Sequence, residues 1–183
     1  MGAVANGFQA PTAQRADVYA IYSRLMTNPR TSYGADKNEI YLIADTTVPG
    51  TPEEPCVRFP AEYRRDFDEI MSGFNRGSGE RVKLEPAFHI TKPYVLLDGS
   101  AVKEFVELFS SPRVPETRRK VFKKATDLFR LTDVYFNRDR TIALTAISTH
   151  CGLLCGRADW RVLGGARNGQ WEERPWVTCD TIS

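Results

Sequence analysis

A chain of 183 residues with 42% hydrophobic content has enough apolar surface for one folded core, and a single domain over residues 15–183 is the expectation. Lys and Arg number 25 against 23 Asp and Glu; the net charge of +2, with no basic stripe to follow a phosphate backbone, argues against a nucleic-acid partner. No apolar run approaches the ~20 residues that a membrane-spanning helix requires.

The opening stretch, residues 1–14 ("MGAVANGFQAPTAQ"), reads as a flexible lead-in of the kind left when a signal peptide has been removed. From Arg15 onward, Val18, Ile21, Tyr22, Leu25 and Met26 recur at helical spacing, and Pro29 stops the helix by disfavouring helical backbone at Asn28. The run "EIYLIADTT", Glu39 to Thr47, is rich in β-branched and aromatic residues and reads as a buried strand. At its end Asp45 stands where a carboxylate could act as general acid or base, with Asp98 or Asp133 as partner; the plainer role is to cap a turn.

In "AEYRRDFDEIMSGFNR" a second helical stripe runs through Tyr63, Phe67, Ile70, Met71 and Phe74. Short strands are expected in "RVKLEPAFHI" and "PYVLLD", after which Ser100 can cap a helix carrying Val102, Phe105, Val106 and Phe109 inward. The basic run "RRKVFKK" reads as the solvated side of a helix whose Val121, Phe122, Ala125 and Leu128 point inward.

The last third consists of strand-like runs: "LTDVYF", "TIALTAIST", "ADWRVLG" and "QWEERPWVTCDTIS". Apolar residues on both faces of "TIALTAIST" make it the central strand. Helices first and strands last give an α+β fold, with N-terminal and middle helices packed on a C-terminal antiparallel β-meander. Val18, Ile21, Leu25, Phe67, Ile70, Leu144 and Ile147 are expected to share one core.

The run "LFRLTDVYFNRDRTIALTAIST", then "HCGLLCG", Trp160 and "GQWEERPWVTCDTIS", resembles a family of bacterial proteins, many of them exported, that has no established activity. The resemblance is strongest over the last third of the chain and implies a bacterial origin and an export route, hence a secreted or periplasmic protein. It carries over no functional residue. The order of elements is similar to nuclear-transport-factor-2-like and cystatin-like folds, an analogy of architecture alone.

The stretch "THCGLLCGRADW", Thr149 to Trp160, invites three chemistries: a metal knuckle, a nucleophile with its base, or a pinned loop. A hairpin turning near Asn168 and Gly169 would set Cys155 opposite Cys179, at a separation a disulfide can bridge, and this pair is the candidate disulfide. Cys151 could reach Cys155 only if the loop curls tightly; the states of Cys56 and Cys151 stay open. Zinc would draw on His150, Cys151, Cys155 and Cys179, but one three-residue spacing and a distant cysteine depart from paired short knuckles, so no metal is assigned. A Cys151 nucleophile lacks an adjacent base in extended backbone, since His150 would face the other way, and His89 is more simply structural. Gly152 and Gly156 read as turn glycines that could also expose N–H groups to an anion. Trp160, Trp171 and Trp176, with Tyr135, would either line a ligand groove or fill the core.

No phosphate loop, dinucleotide fingerprint or HExxH helix is present, and no cofactor is expected. The functional expectation is a non-catalytic binding or scaffolding module using its sheet and the candidate loop His150, Cys151, Gly152, Gly156, Arg157 and Trp160. Its ligand would be a protein, peptide or saccharide. The alternatives are a hydrolase-like enzyme using Cys151 or a carboxylate such as Asp45, and a zinc-stabilised structural domain.

Overall fold

The computed structural model of the protein describes residues 13–27, 29, 39–49, 57–77, 79–108, 114–125, 127–151, 156–165, 170–178 and 180–182. Helix α1 (Ala13–Thr27) starts two residues inside the expected lead-in and buries Tyr19, Ile21, Tyr22, Leu25 and Met26. Polar contacts fix its seat as well: Tyr22 Oη donates to the Thr132 carbonyl at 2.8 Å, and Ser23 Oγ accepts the His89 N–H at 2.8 Å. Strand β1 (Tyr41–Ala44) is buried throughout, and β2 (Val57–Arg58) is followed by a 3-10 turn at Ala61–Tyr63. Helix α2 (Arg64–Gly77) buries Ile70 and Phe74 from the expected stripe, while Tyr63 falls in the preceding turn and is exposed.

Strand β3 (Tyr94–Leu97) leads into α3 (Gly99–Glu107) and α4 (Glu116–Phe122). The cap of α3 is Asp98 rather than Ser100: its carboxylate accepts the Ala101 N–H at 2.8 Å, satisfying one of the donors a helix start leaves open. The run "RVKLEPAFHI" contributes a single bridge, Lys83 to Thr46, in place of a strand. The remaining strands are β4 (Leu128–Leu131), β5 (Tyr135–Phe136), β6 (Ile142–His150), β7 (Gly156–Gly165), β8 (Trp171–Glu173), β9 (Val177–Thr178) and β10 (Asp180–Ile182).

The main sheet has the order β10-β7-β6-β4-β1-β3, with β5 added on β6 and β8 on β7. The class is α+β and β6 is central, but the sheet is mixed rather than antiparallel. Strands β3 and β4 both pair with β1 in parallel. Two crossovers make this possible: the chain through α2 carries the end of β1 back to the start of β3, and the chain through α3 and α4 does the same from β3 to β4.

The sheet divides the expected common core. On one face Ile21, Leu25 and Ile147 pack with Tyr22, Ile43 and Phe129, with Val18 at the margin. On the other face Ile70 and Leu144 pack with Phe74, Trp160 and Val162 under α2. Beside them, α3 and α4 cover Leu42, Leu97 and Leu128. Alternate strand residues point to opposite faces, so Leu144 and Ile147 cannot share one cluster.

The expected C-terminal hairpin holds only at its start. β8 runs back along β7 with Leu163 opposite Glu173, but β10 rejoins β7 with Asp180 opposite Asp159. Between them the chain leaves the sheet: Pro175 has no N–H to donate, Trp176 packs on Phe59 and Tyr63, and β9 pairs with β2. The continuous register that would set Cys155 opposite Cys179 is therefore absent from the strands flanking them. Both cysteines, like Cys56, lie outside the described residues.

Candidate functional site

Most of the expected loop from Thr149 to Trp160 is strand. β6 runs to His150, β7 begins at Gly156, and these two residues are paired. Trp160 is buried beneath α2, edge to face with Phe74 at 5.7 Å. Arg157 lies on the opposite face, where its Nε donates to Asp159 at 2.8 Å, and Arg161 holds the other oxygen of the same carboxylate at 3.1 Å. Cys151 is disulfide-bonded to a partner outside the described residues, so its sulfur is not a thiolate. Gly152 is also outside them.

His150 belongs to a different grouping, fixed by strand register. Leu128 faces His150 and Arg130 faces Ser148 across β4 and β6, while Ser148 faces Ala158 and His150 faces Gly156 across β6 and β7. Alternation puts Arg130, Ser148, His150, Gly156 and Ala158 on one face. They form a strip between the cluster under α3 and α4, which ends at Leu128, and the cluster under α2, which begins at Ala146 and Trp160. All five are only partly buried, although neighbouring positions of β4 and β6 are buried.

Two nitrogens in this strip are unsatisfied. Arg130 Nε and His150 Nε2 are each shielded from solvent with no hydrogen-bond partner. Burial lowers the Arg130 guanidinium from its ordinary value, and burial followed by the Arg130 charge lowers the His150 imidazole, so His150 favours the neutral form. An unpaired, partly desolvated cation beside a neutral imidazole is ready to accept a negatively charged or hydrogen-bond-accepting group.

The three carboxylates singled out by the sequence do not act as a set. Asp45 is buried after β1, where its two oxygens engage Lys83 Nζ and Thr46 Oγ1. Asp98 caps α3, and that N–H holds its carboxyl below the usual range. Both acids lie at the same end of the parallel strands. Asp133 is separate: burial raises its pKa, opposed by the Val134 N–H and reinforced by Glu80. Its charge and that of Glu80, after burial, help push Tyr135 up to about 12.

His89 is exposed and shares a groove with Ser23 and Trp171, near the Gly165 end of β7, whereas Cys151 follows His150 at the Gly156 end, roughly 30 Å of strand away. The tryptophans line no common groove: Trp160 packs under α2, Trp171 on Phe136 across the sheet, and Trp176 on Phe59. In α4 Phe122 is buried and Lys120 exposed, but Arg118, beside Glu104 at 3.3 Å, and Arg119, whose Nε donates to the Val114 carbonyl at 3.0 Å, are half-buried rather than fully solvated. Among the described residues, no three His, Cys, Asp or Glu side chains converge as metal ligands.

Sequence reasoning passed over Arg130 and Ser148. The available signal was a charge at an alternate position of "LFRL", a strand otherwise apolar. Comparison with known proteins adds no further assignment: no family model, curated protein or solved structure matches the chain.

Proposed function

We propose that the protein is a non-catalytic binding or scaffolding module that takes its ligand on the strip formed by Arg130, Ser148, His150, Gly156 and Ala158. The observation that carries this reading is the run of half-open alternate positions on a sheet face whose flanking positions lie under helices. A flat, rigid β-surface holding polar groups at fixed spacing suits a peptide or saccharide better than a deep cavity would. The candidate loop narrows accordingly to His150 and Gly156, with Arg157 and Trp160 engaged elsewhere.

Secretion or periplasmic location is part of the proposal. It is supported by the disulfide at Cys151, because such bonds persist in oxidising compartments, and it agrees with the resemblance of the C-terminal run to exported proteins. The nuclear-transport-factor-2-like or cystatin-like analogy rests on the order of elements alone; the antiparallel pairing of β4, β6 and β7 supports it, and the parallel pairing of β1 with β3 counts against it.

The test is a backbone NMR screen of the 15N-labelled protein against short acidic and neutral peptides and di- to tetrasaccharides. Amide shifts clustering at Ser148, His150, Gly156 and Ala158 are expected. Shifts centred on the groove of Ser23, His89 and Trp171 would move the site. Hydrolysis of an ester or peptide substrate that disappears in Asp45→Asn would replace binding with catalysis.

A further inference from the structure

Resting on the strip as the binding face, we propose that it recognises an oxyanion group, a carboxylate or a phosphate monoester, through Arg130 and His150. Arg130 differs from the other half-buried arginines, whose guanidinium groups have partners: Arg140 has Asp17 at 3.2 Å, Arg118 has Glu104 at 3.3 Å, Arg157 and Arg161 share Asp159, and Arg119 Nε donates to the Val114 carbonyl at 3.0 Å. No described carboxylate pairs with Arg130, and its Nε has no acceptor of any kind. Desolvating a guanidinium without a partner is costly, and an anion arriving from solution removes that cost.

Geometry extends the same argument to His150. Arg130 faces Ser148, and His150 is one same-face position further along β6, a diagonal neighbour at a typical Cα separation of about 7 to 8 Å. A long arginine side chain spans that distance, so its Nε–H and the imidazole can meet one ligand group. Nε2 of His150 is the second unsatisfied atom, and a proton on it adds a donor to an oxyanion. The Ser148 hydroxyl lies between the two in register and offers a third contact. Among the described residues no acid occupies the strip to repel an anion, since its other members are Gly156 and Ala158.

The decisive measurement follows the Arg130 Nε–Hε and His150 ring signals by NMR while inorganic phosphate or acetate is added at ionic strength held constant with chloride. Saturable shifts of both groups are expected with at least one anion; phosphate alone would assign a phosphate monoester, and acetate alone a carboxylate. Arg130→Met should weaken binding about tenfold or more, and Arg130→Lys, which keeps charge but loses Nε, by several-fold. Chloride-like, non-saturating drift with both anions in the wild-type protein would overturn the proposal without needing any variant. If neutral peptides or saccharides shift Ser148 and Ala158 while both anions do not, the binding face stands and the oxyanion falls. Silence toward every probe removes both.

Discussion

At the scale of single residues, Asn137 shows how one buried amide fixes a turn. Its Oδ1 accepts from the N–H groups of Thr141 and Ile142, at 2.8 and 2.9 Å, while Nδ2 donates to Asp66 at 2.6 Å and to Thr141 Oγ1 at 2.9 Å. Alanine there leaves two backbone donors and the Asp66 carboxylate without that partner. Asn137→Ala is expected to destabilise by about 2 to 4 kcal/mol in urea unfolding, several times the effect of an exposed polar substitution. His150 gives a pH signature. Its folded-state pKa is lowered, chiefly by burial and then by Arg130, below the value near 6.5 that it regains on unfolding. Between those two values the unfolded chain binds a proton that the folded chain refuses, so stability falls as pH drops below about 6.5 and levels off beneath the folded pKa. The wild-type protein should therefore lose more stability than His150→Gln between about pH 7.5 and pH 5, measured by denaturant unfolding at each pH.

At the scale of elements, β6 over Ile142–Ile147 has apolar residues on both faces and is buried on both. Leu144 is fully buried, opposite Val162 and Tyr135. Leu144→Ala should cost about 2 to 5 kcal/mol in equilibrium unfolding, with the upper half expected if the β6 backbone cannot collapse into the space. The periodicity of this strand predicted its burial but not its neighbours. Peptide mapping under acid-quenched, non-reducing conditions is expected to recover Cys151 in a disulfide-linked peptide, whereas a free Cys151 thiol in protein from an oxidising compartment would remove the bond that supports an exported location.

At the scale of the molecule, a mixed sheet separates apolar clusters, with α1 on one face and α2, α3 and α4 on the other. Protection should follow this layering. β6 and β4 lie inside the sheet and β1 is buried at every position, whereas β3 stands at the end of the order among the described strands and exposes Val95. Native-state hydrogen exchange should give the slowest amides in β6, β4 and β1 and faster ones in β3 and β10. Fast exchange throughout β1 would show that the parallel part of the sheet opens independently of the antiparallel part.

Periodicity within the chain determined α1, the buried β1, the central β6 and the α+β class, because each depends on the spacing of apolar residues within one short segment. The Asp98 cap lay just beyond such reach: Asp98 and Ser100 are both competent caps two residues apart, and only the hydrogen bond to Ala101 selects between them. Strand partners depend on crossovers that bring distant segments together, so the parallel pairing of β3, β1 and β4 could not be read from any one of them. The candidate site has the same origin. His150 stood out as a histidine beside a cysteine, but Arg130 gained its meaning only when β4 and β6 placed it on the same face, between two helical covers and without an acid. Local sequence fixes which way a side chain can point; tertiary packing decides what it meets there and which charge is left without a partner.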